Sequence, residues 1–130
     1  MTIDLWSLVW TAVLCMSMSI IYGTGRMQVA GGMQWALGNR DQPLGVAPWV
    51  KRAERAHANL VENLAPFAVL VLAANLSGAA NYWTALGSQL FLWARVAHVV
   101  AYTAGWIGVR TAVFLVGVVG EIIILIQLFS

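Results

Sequence analysis

Polar residues are scarce in this sequence and fall at helical spacings. One group comprises Arg52, Arg55, His57, Asn59, Glu62, Asn63 and Pro66. At 100° per residue a helix places Arg55, Asn59, Glu62 and Pro66 within about 60° of one another, with Arg52 just beside that stripe. A second group, Arg95, His98 and Tyr102, follows the i, i+3, i+7 rule and shares one helix face. Arg110 and Thr111 open a further apolar stretch, and Glu121 lies near its middle. A lone carboxylate at Glu62, about one turn inside an apolar region, is costly unless a cation or several donors meet it. Arg95 is the natural partner, which predicts an ion pair between the two helices. Arg110, Tyr102, Arg55 and Arg26 are expected to converge at one end. A cationic pocket with a carboxylate and a phenol suits a small anionic ligand that also carries an amino group.

Each residue also has a plainer reading. Glu62 and Arg95 serve equally well as a structural pair. Tyr102 alone reads as an interfacial aromatic, His98 alone as a hydrogen-bonded core histidine, and Arg110 alone as a positive-inside anchor. Glu121 reads as a structural hydrogen-bonding group, and Cys15 as a small buried or lipid-facing side chain. The single cysteine excludes an intrachain disulfide. No metal site is expected, and nothing in the charge pattern points to nucleic acid.

The surroundings of these residues define the fold class. The chain has 130 residues, of which 61% are hydrophobic and 9% charged, with a mean hydropathy of +0.79. A soluble domain carries about 25% charged residues, so the deficit points to lipid as the solvent. Four apolar runs start near Leu5, Leu60, Trp83 and Ile107, each close to the ~20 residues that cross ~30 Å of hydrocarbon. They are too long and too uniformly apolar for alternating barrel strands. The prediction is an all-α membrane protein, a four-transmembrane-helix antiparallel bundle with helices at about 4–25, 52–77, 81–103 and 107–129. The first run has an acidic start and no small-residue cleavage site, so it is read as a retained helix rather than a signal peptide.

The one long connection, 26–51, contains Gly31, Gly32, Gly38, Pro43, Gly45 and Pro48 as breakers. It also holds Arg26, Arg40 and Lys51, next to Arg52 and Arg55, whereas the second loop is uncharged and the first residues carry only Asp4. The positive-inside rule then makes the long loop cytoplasmic and puts both termini on the opposite side. A bundle this thin has little interior of its own, which favours oligomerisation. Gly117 and Gly120 permit close helix contact.

The residues as a set resemble a known superfamily. The stretch Arg52-x-x-Arg55-Ala-His57-x-Asn59-x-x-Glu62-x-x-x-Pro66-Phe67 is similar to the second-helix signature of the MAPEG superfamily, the membrane-associated proteins in eicosanoid and glutathione metabolism. Arg95-Val-Ala-His98-Val-Val-Ala-Tyr102, followed by Arg110-Thr111, resembles the third- and fourth-helix motifs of its microsomal prostaglandin E synthases. The resemblance covers essentially the whole chain as a single integral membrane domain. It implies a homotrimer with glutathione, as co-substrate, bound between neighbouring subunits. Arg110 would stabilise the glutathione thiolate, while Arg26, Arg55, Asn59, Glu62, Arg95, His98, Tyr102 and Thr111 would hold the tripeptide. Ala58 stands where the prostaglandin synthases have an arginine, so one carboxylate contact of that pattern is missing.

Two functions of different kinds follow. One is a glutathione transferase or peroxidase acting on lipophilic electrophiles or hydroperoxides, a detoxification chemistry. The other is a non-catalytic membrane scaffold or accessory subunit of the same fold, in which the polar residues serve packing. Glutathione should stabilise the first and leave the second unchanged. A third option is a lipid-binding or transport role with Glu121 as a proton-linked acid.

Overall fold

The computed structural model describes residues 1–130 as five helices and no strand: α1 (Ile3–Met27), α2 (Gly32–Leu37), α3 (Pro48–Leu76), α4 (Tyr82–Ala104) and α5 (Ile107–Leu128). The boundaries follow local chemistry. Thr2 caps α1 by accepting from the Leu5 amide at 3.2 Å. Asn81 and Thr84 form a reciprocal capping box at the start of α4. Gly105, at φ 84°, ends α4 in the left-handed conformation that a side chain would oppose. α3 begins several residues before the expected 52 because Pro48, read as a breaker, occupies its first turn. Proline is favoured there, since its fixed φ suits a helix and its missing N–H has no acceptor to lose. The 26–51 connection likewise contains the short α2, which sequence periodicity did not indicate.

Side-chain bonds between helix ends set the arrangement. Thr2 at the start of α1 donates to Asn75 at the end of α3, at 2.8 Å. Arg52 at the start of α3 donates to the Thr103 carbonyl at the end of α4, also at 2.8 Å. Asn81 at the start of α4 donates to Gln127 at the end of α5 at 2.8 Å. Consecutive long helices are therefore antiparallel, and α1 and α4 run side by side in the same direction. This layout gathers Arg26, Arg40, Lys51, Arg52, Arg55 and Arg110 at one end and leaves Asp4 at the other.

α1, α3 and α5 are long and apolar enough to cross a membrane. α4 matches them at 23 residues but carries Gln89, Arg95 and His98 in its middle. Two apolar clusters hold the bundle. Met18, Ala53, Ala56, Leu60 and Val99 pack at the basic end. Phe67, Val71, Ala74, Phe91 and Ile124 pack at the other, where the Phe67 and Phe91 rings stack at 3.9 Å. Only 25 of 130 residues are buried, so a polar site here lies near a surface rather than in a deep interior.

Candidate functional site

The residue types singled out above separate into three places. Asn59 from α3, His98 and Tyr102 from α4, and Arg110, Thr111 and Phe114 from α5 line one cavity of about 270 Å³ at the basic end. The α4–α5 turn makes this possible: Gly105 reverses the chain within a few residues, so Tyr102 and Arg110 face each other. The Arg110 guanidinium sits over the Tyr102 ring at 4.5 Å, a cation–π contact that orients the head without using its N–H donors. Those donors make no hydrogen bond within the chain. His98 is 3% exposed, and its Nδ1 has no hydrogen-bond partner. Its ring meets Tyr102 edge-on at 5.7 Å and Phe114 at 6.0 Å. Native structures rarely leave such a buried nitrogen unpaired. Together these groups offer a guanidinium, a phenol, an imidazole, an amide and a hydroxyl to one small space. Phe114 was not anticipated, although its place one turn after Arg110 and Thr111 was the available signal.

Arg95 lies behind this cavity, 1% exposed. Its Nη2 donates to Asn59 Oδ1 at 2.5 Å, fixing the amide that faces the cavity. Its stem runs past Gly117, where an added Cβ would lie 3.9 Å from Arg95 Cδ, and its guanidinium stands 5.8 Å from the Phe114 ring. The expected Arg95–Glu62 pair is not formed. Glu62 is exposed and has no partner in the chain. The reason is rotational: Asn59 lies at the α4-facing edge of the α3 stripe, and Glu62 is a further 60° round the helix. Glu121 Oε1 and Arg95 Nε are both buried without a hydrogen-bond partner.

Arg26 and Arg55 do not line the cavity. Arg26 forms the chain's one ion pair, with Glu54 at 2.9 Å, and stacks over Tyr22 and Trp35 at 4.7 and 5.2 Å. Trp35 also lies under Arg40 at 5.1 Å, which fixes the long connection against α1. Arg55 is exposed on the outer face of α3, in line with Glu62. His57 turns the other way, toward α1. Its Nδ1 lies 3.3 Å from the Tyr22 hydroxyl, and its Nε2 lies 3.2 Å from Ser19 Oγ and 3.5 Å from Cys15 Sγ. Cys15 therefore faces a polar seam between α1 and α3, a contact that its apolar sequence neighbours concealed.

No curated protein and no solved structure matches the chain. The family model described as the MAPEG family matches residues 5–130. That match spans all four long helices and every residue of the cavity, and the chain belongs to the MAPEG family.

Proposed function

We propose that the protein is a glutathione-dependent transferase or peroxidase acting on lipophilic electrophiles or hydroperoxides, with Arg110 stabilising the thiolate. The observation that carries this reading is the cavity in which a free guanidinium, Arg110, faces an unpaired buried histidine nitrogen beside Tyr102 and Asn59. Membership of a superfamily of glutathione and eicosanoid metabolism supports it. A thiol of pKa ~8.5 must fall about 1.5 units to be half ionised at pH 7, or about 2 kcal/mol. An arginine 4 Å from the sulfur supplies ~4 kcal/mol at an effective dielectric of ~20. The thiolate then attacks an electrophilic carbon to form a C–S bond, either expelling a leaving group with its electron pair or adding to an activated double bond whose displaced electron pair takes up a proton. With a hydroperoxide it attacks the peroxide oxygen, the O–O bond breaks, the alcohol leaves after taking up a proton, and the glutathione sulfur is left as a sulfenic acid. A second glutathione thiol attacks that sulfur, expelling water and giving the disulfide.

The same reading has α4 as a fourth span, the basic end facing the cytoplasm, and three copies assembling around the outer face of α3. Arg55 and Glu62 support the assembly. Both are exposed on a helix that enters lipid, where an uncovered charge is expensive, and a neighbouring subunit would cover them and bring Arg26, Arg55 and Glu62 to the ligand.

Addition of glutathione to the purified protein tests the proposal. A thiolate absorbance in the ultraviolet is expected, and Arg110→Ala should abolish it while the melting temperature without ligand stays the same. A signal unchanged in that variant would remove Arg110 from the mechanism. The non-catalytic alternative makes a different prediction: millimolar glutathione would leave stability unaltered, whereas a site saturated at ~100 times its dissociation constant gains about 2.7 kcal/mol.

A further inference from the structure

The opposite end of the bundle contains a second polar feature, unrelated to the cavity at Arg110. Asp4 is 2% exposed, and its Oδ2 is buried with no hydrogen-bond partner. Asp4 is one of the residues lining an open cavity of about 330 Å³, with Thr2 and Ile3 beside it and Ala80, Asn81, Tyr82 and Ala85 across from it. No Lys, Arg or His accompanies it among residues 1–8, 75–89 and 124–130, so this end of the molecule holds one anionic side chain and no cationic one. The chain's ion pair, Arg26–Glu54, is at the other end. A buried carboxylate without a donor calls for a cation.

The cavity does not stop at Asp4. Ile3 also lines the next one, of about 260 Å³, together with Trp6, Trp10 and Leu92. Trp10, Leu92 and Trp93 continue into a third, of about 330 Å³, that reaches Leu14 and Val96. On α4 the lining residues Ala85, Gln89, Leu92 and Val96 recur every three or four positions, and on α1 Ile3, Trp6, Trp10 and Leu14 do the same. Shared lining residues thus join the three cavities into one groove between two parallel helices, mostly apolar below its polar head, with Ser7, Ser17 and Gln89 as its polar side chains. From Ile3 to Leu14 it is about 16 Å long at 1.5 Å per residue, which is half of the ~30 Å hydrocarbon thickness, or one leaflet.

We propose that this groove is a binding site for an aminophospholipid, with its primary ammonium on Asp4 and one acyl chain lying past Trp6, Trp10 and Leu92. Charge complementarity selects the head group. A primary ammonium donates hydrogen bonds to a carboxylate, whereas the quaternary ammonium of choline has no N–H, and the glycerol head of an anionic lipid brings no positive charge. The leaflet-length groove selects a lipid over a free amine.

The test reconstitutes the full chain in nanodiscs containing equal amounts of phosphatidylethanolamine, phosphatidylcholine and phosphatidylglycerol with matched acyl chains. Lipid retained after release into detergent is read by native mass spectrometry. A roughly tenfold preference for phosphatidylethanolamine over phosphatidylcholine is expected, the ratio that one charge-assisted hydrogen bond provides. Asp4→Asn should erase the preference. Leu92→Trp, which fills the groove, should lower retention of all three lipids, and it still decides the matter if Asp4→Asn fails to fold. Equal retention by the wild type overturns the proposal, as does a preference that survives Asp4→Asn or retention unaffected by Leu92→Trp. Displacement of the bound lipid by millimolar ethanolamine also overturns it, because the groove would then add nothing to binding.

Discussion

α4 meets two of its three neighbours, α5 and α1, in different ways. Against α5 it makes close backbone contact: a Cβ added at Gly87 would lie 2.5 Å from the Gly120 carbonyl oxygen, and one added at Gly120 would lie 2.5 Å from that of Gly87. Ala94 faces Gly117 one level further along. Against α1 it presents Leu92, Trp93 and Val96 to Trp10, Val13 and Leu14, and these larger side chains line a groove between the two helices. α1 is instead held through α3, by Thr2–Asn75, Tyr22–His57 and Arg26–Glu54. Lipid is as apolar as leucine, so helices in a membrane associate through close packing and polar contacts rather than by escaping water. The glycine contact therefore joins α4 closely to α5 as one wall of the Arg110 cavity, while the tryptophan-lined side keeps a groove.

Four substitutions bear on this contrast. The largest effect is expected from Gly120→Val, because the new side chain must push the Gly87 backbone away. Overpacking of this kind costs about 1–3 kcal/mol, occasionally more, and should appear as a large loss of thermal stability in detergent. If Gly120→Val melts within a few degrees of the wild type, the close contact is not what holds the wall. Asn59→Ala comes next, since it removes the acceptor of a buried arginine and should cost ~1–3 kcal/mol, whereas Glu62→Gln should leave the melting of isolated subunits unchanged. Comparable losses from both would restore the Arg95–Glu62 pair that spacing suggested. The smallest effect belongs to Val13→Ala on the open side, where a 40%-exposed side chain lines the groove. A change within about 0.5 kcal/mol is expected, and a loss as large as that of Gly120→Val would mean that α1 and α4 pack as tightly as α4 and α5.

Much of the site was readable from spacing, because a helix converts separation along the chain into angle. His98 and Tyr102 share a face, Arg110 and Thr111 follow the turn, and Asn59 reaches the same cavity. Angle along one helix does not reveal which neighbour that angle meets, and this is where the reading of Arg95 departed from the structure. Its hydrogen-bond partner, Asn59, comes from another helix, and only the rotation of α3 distinguishes Asn59 from Glu62. The start of α3 was hidden for a different reason. Pro48 breaks a helix from within and opens one from its first turn, and the sequence of a loop does not say which applies. The contact of His57 with Cys15, Ser19 and Tyr22 was also illegible, since the seam between α1 and α3 depends on the register of two helices separated by a long connection.

The bond from Arg52 to the Thr103 carbonyl has a mechanical consequence. Its guanidinium stem also lies 3.6 Å from the position a Cβ would take on Gly105, at the point where α4 turns into α5. The first turns of α3 are thereby latched to the hinge from which Arg110 projects. Any widening of the cavity mouth must carry α3 with it or break that latch, so the turn between α4 and α5 cannot swing by itself. The stretch between Gly38 and Ala47 is tethered only to α2, by the Trp35 indole N–H donating to the Gln42 carbonyl at 2.5 Å and by Arg40 donating to the Ala36 carbonyl at 3.2 Å and stacking on Trp35.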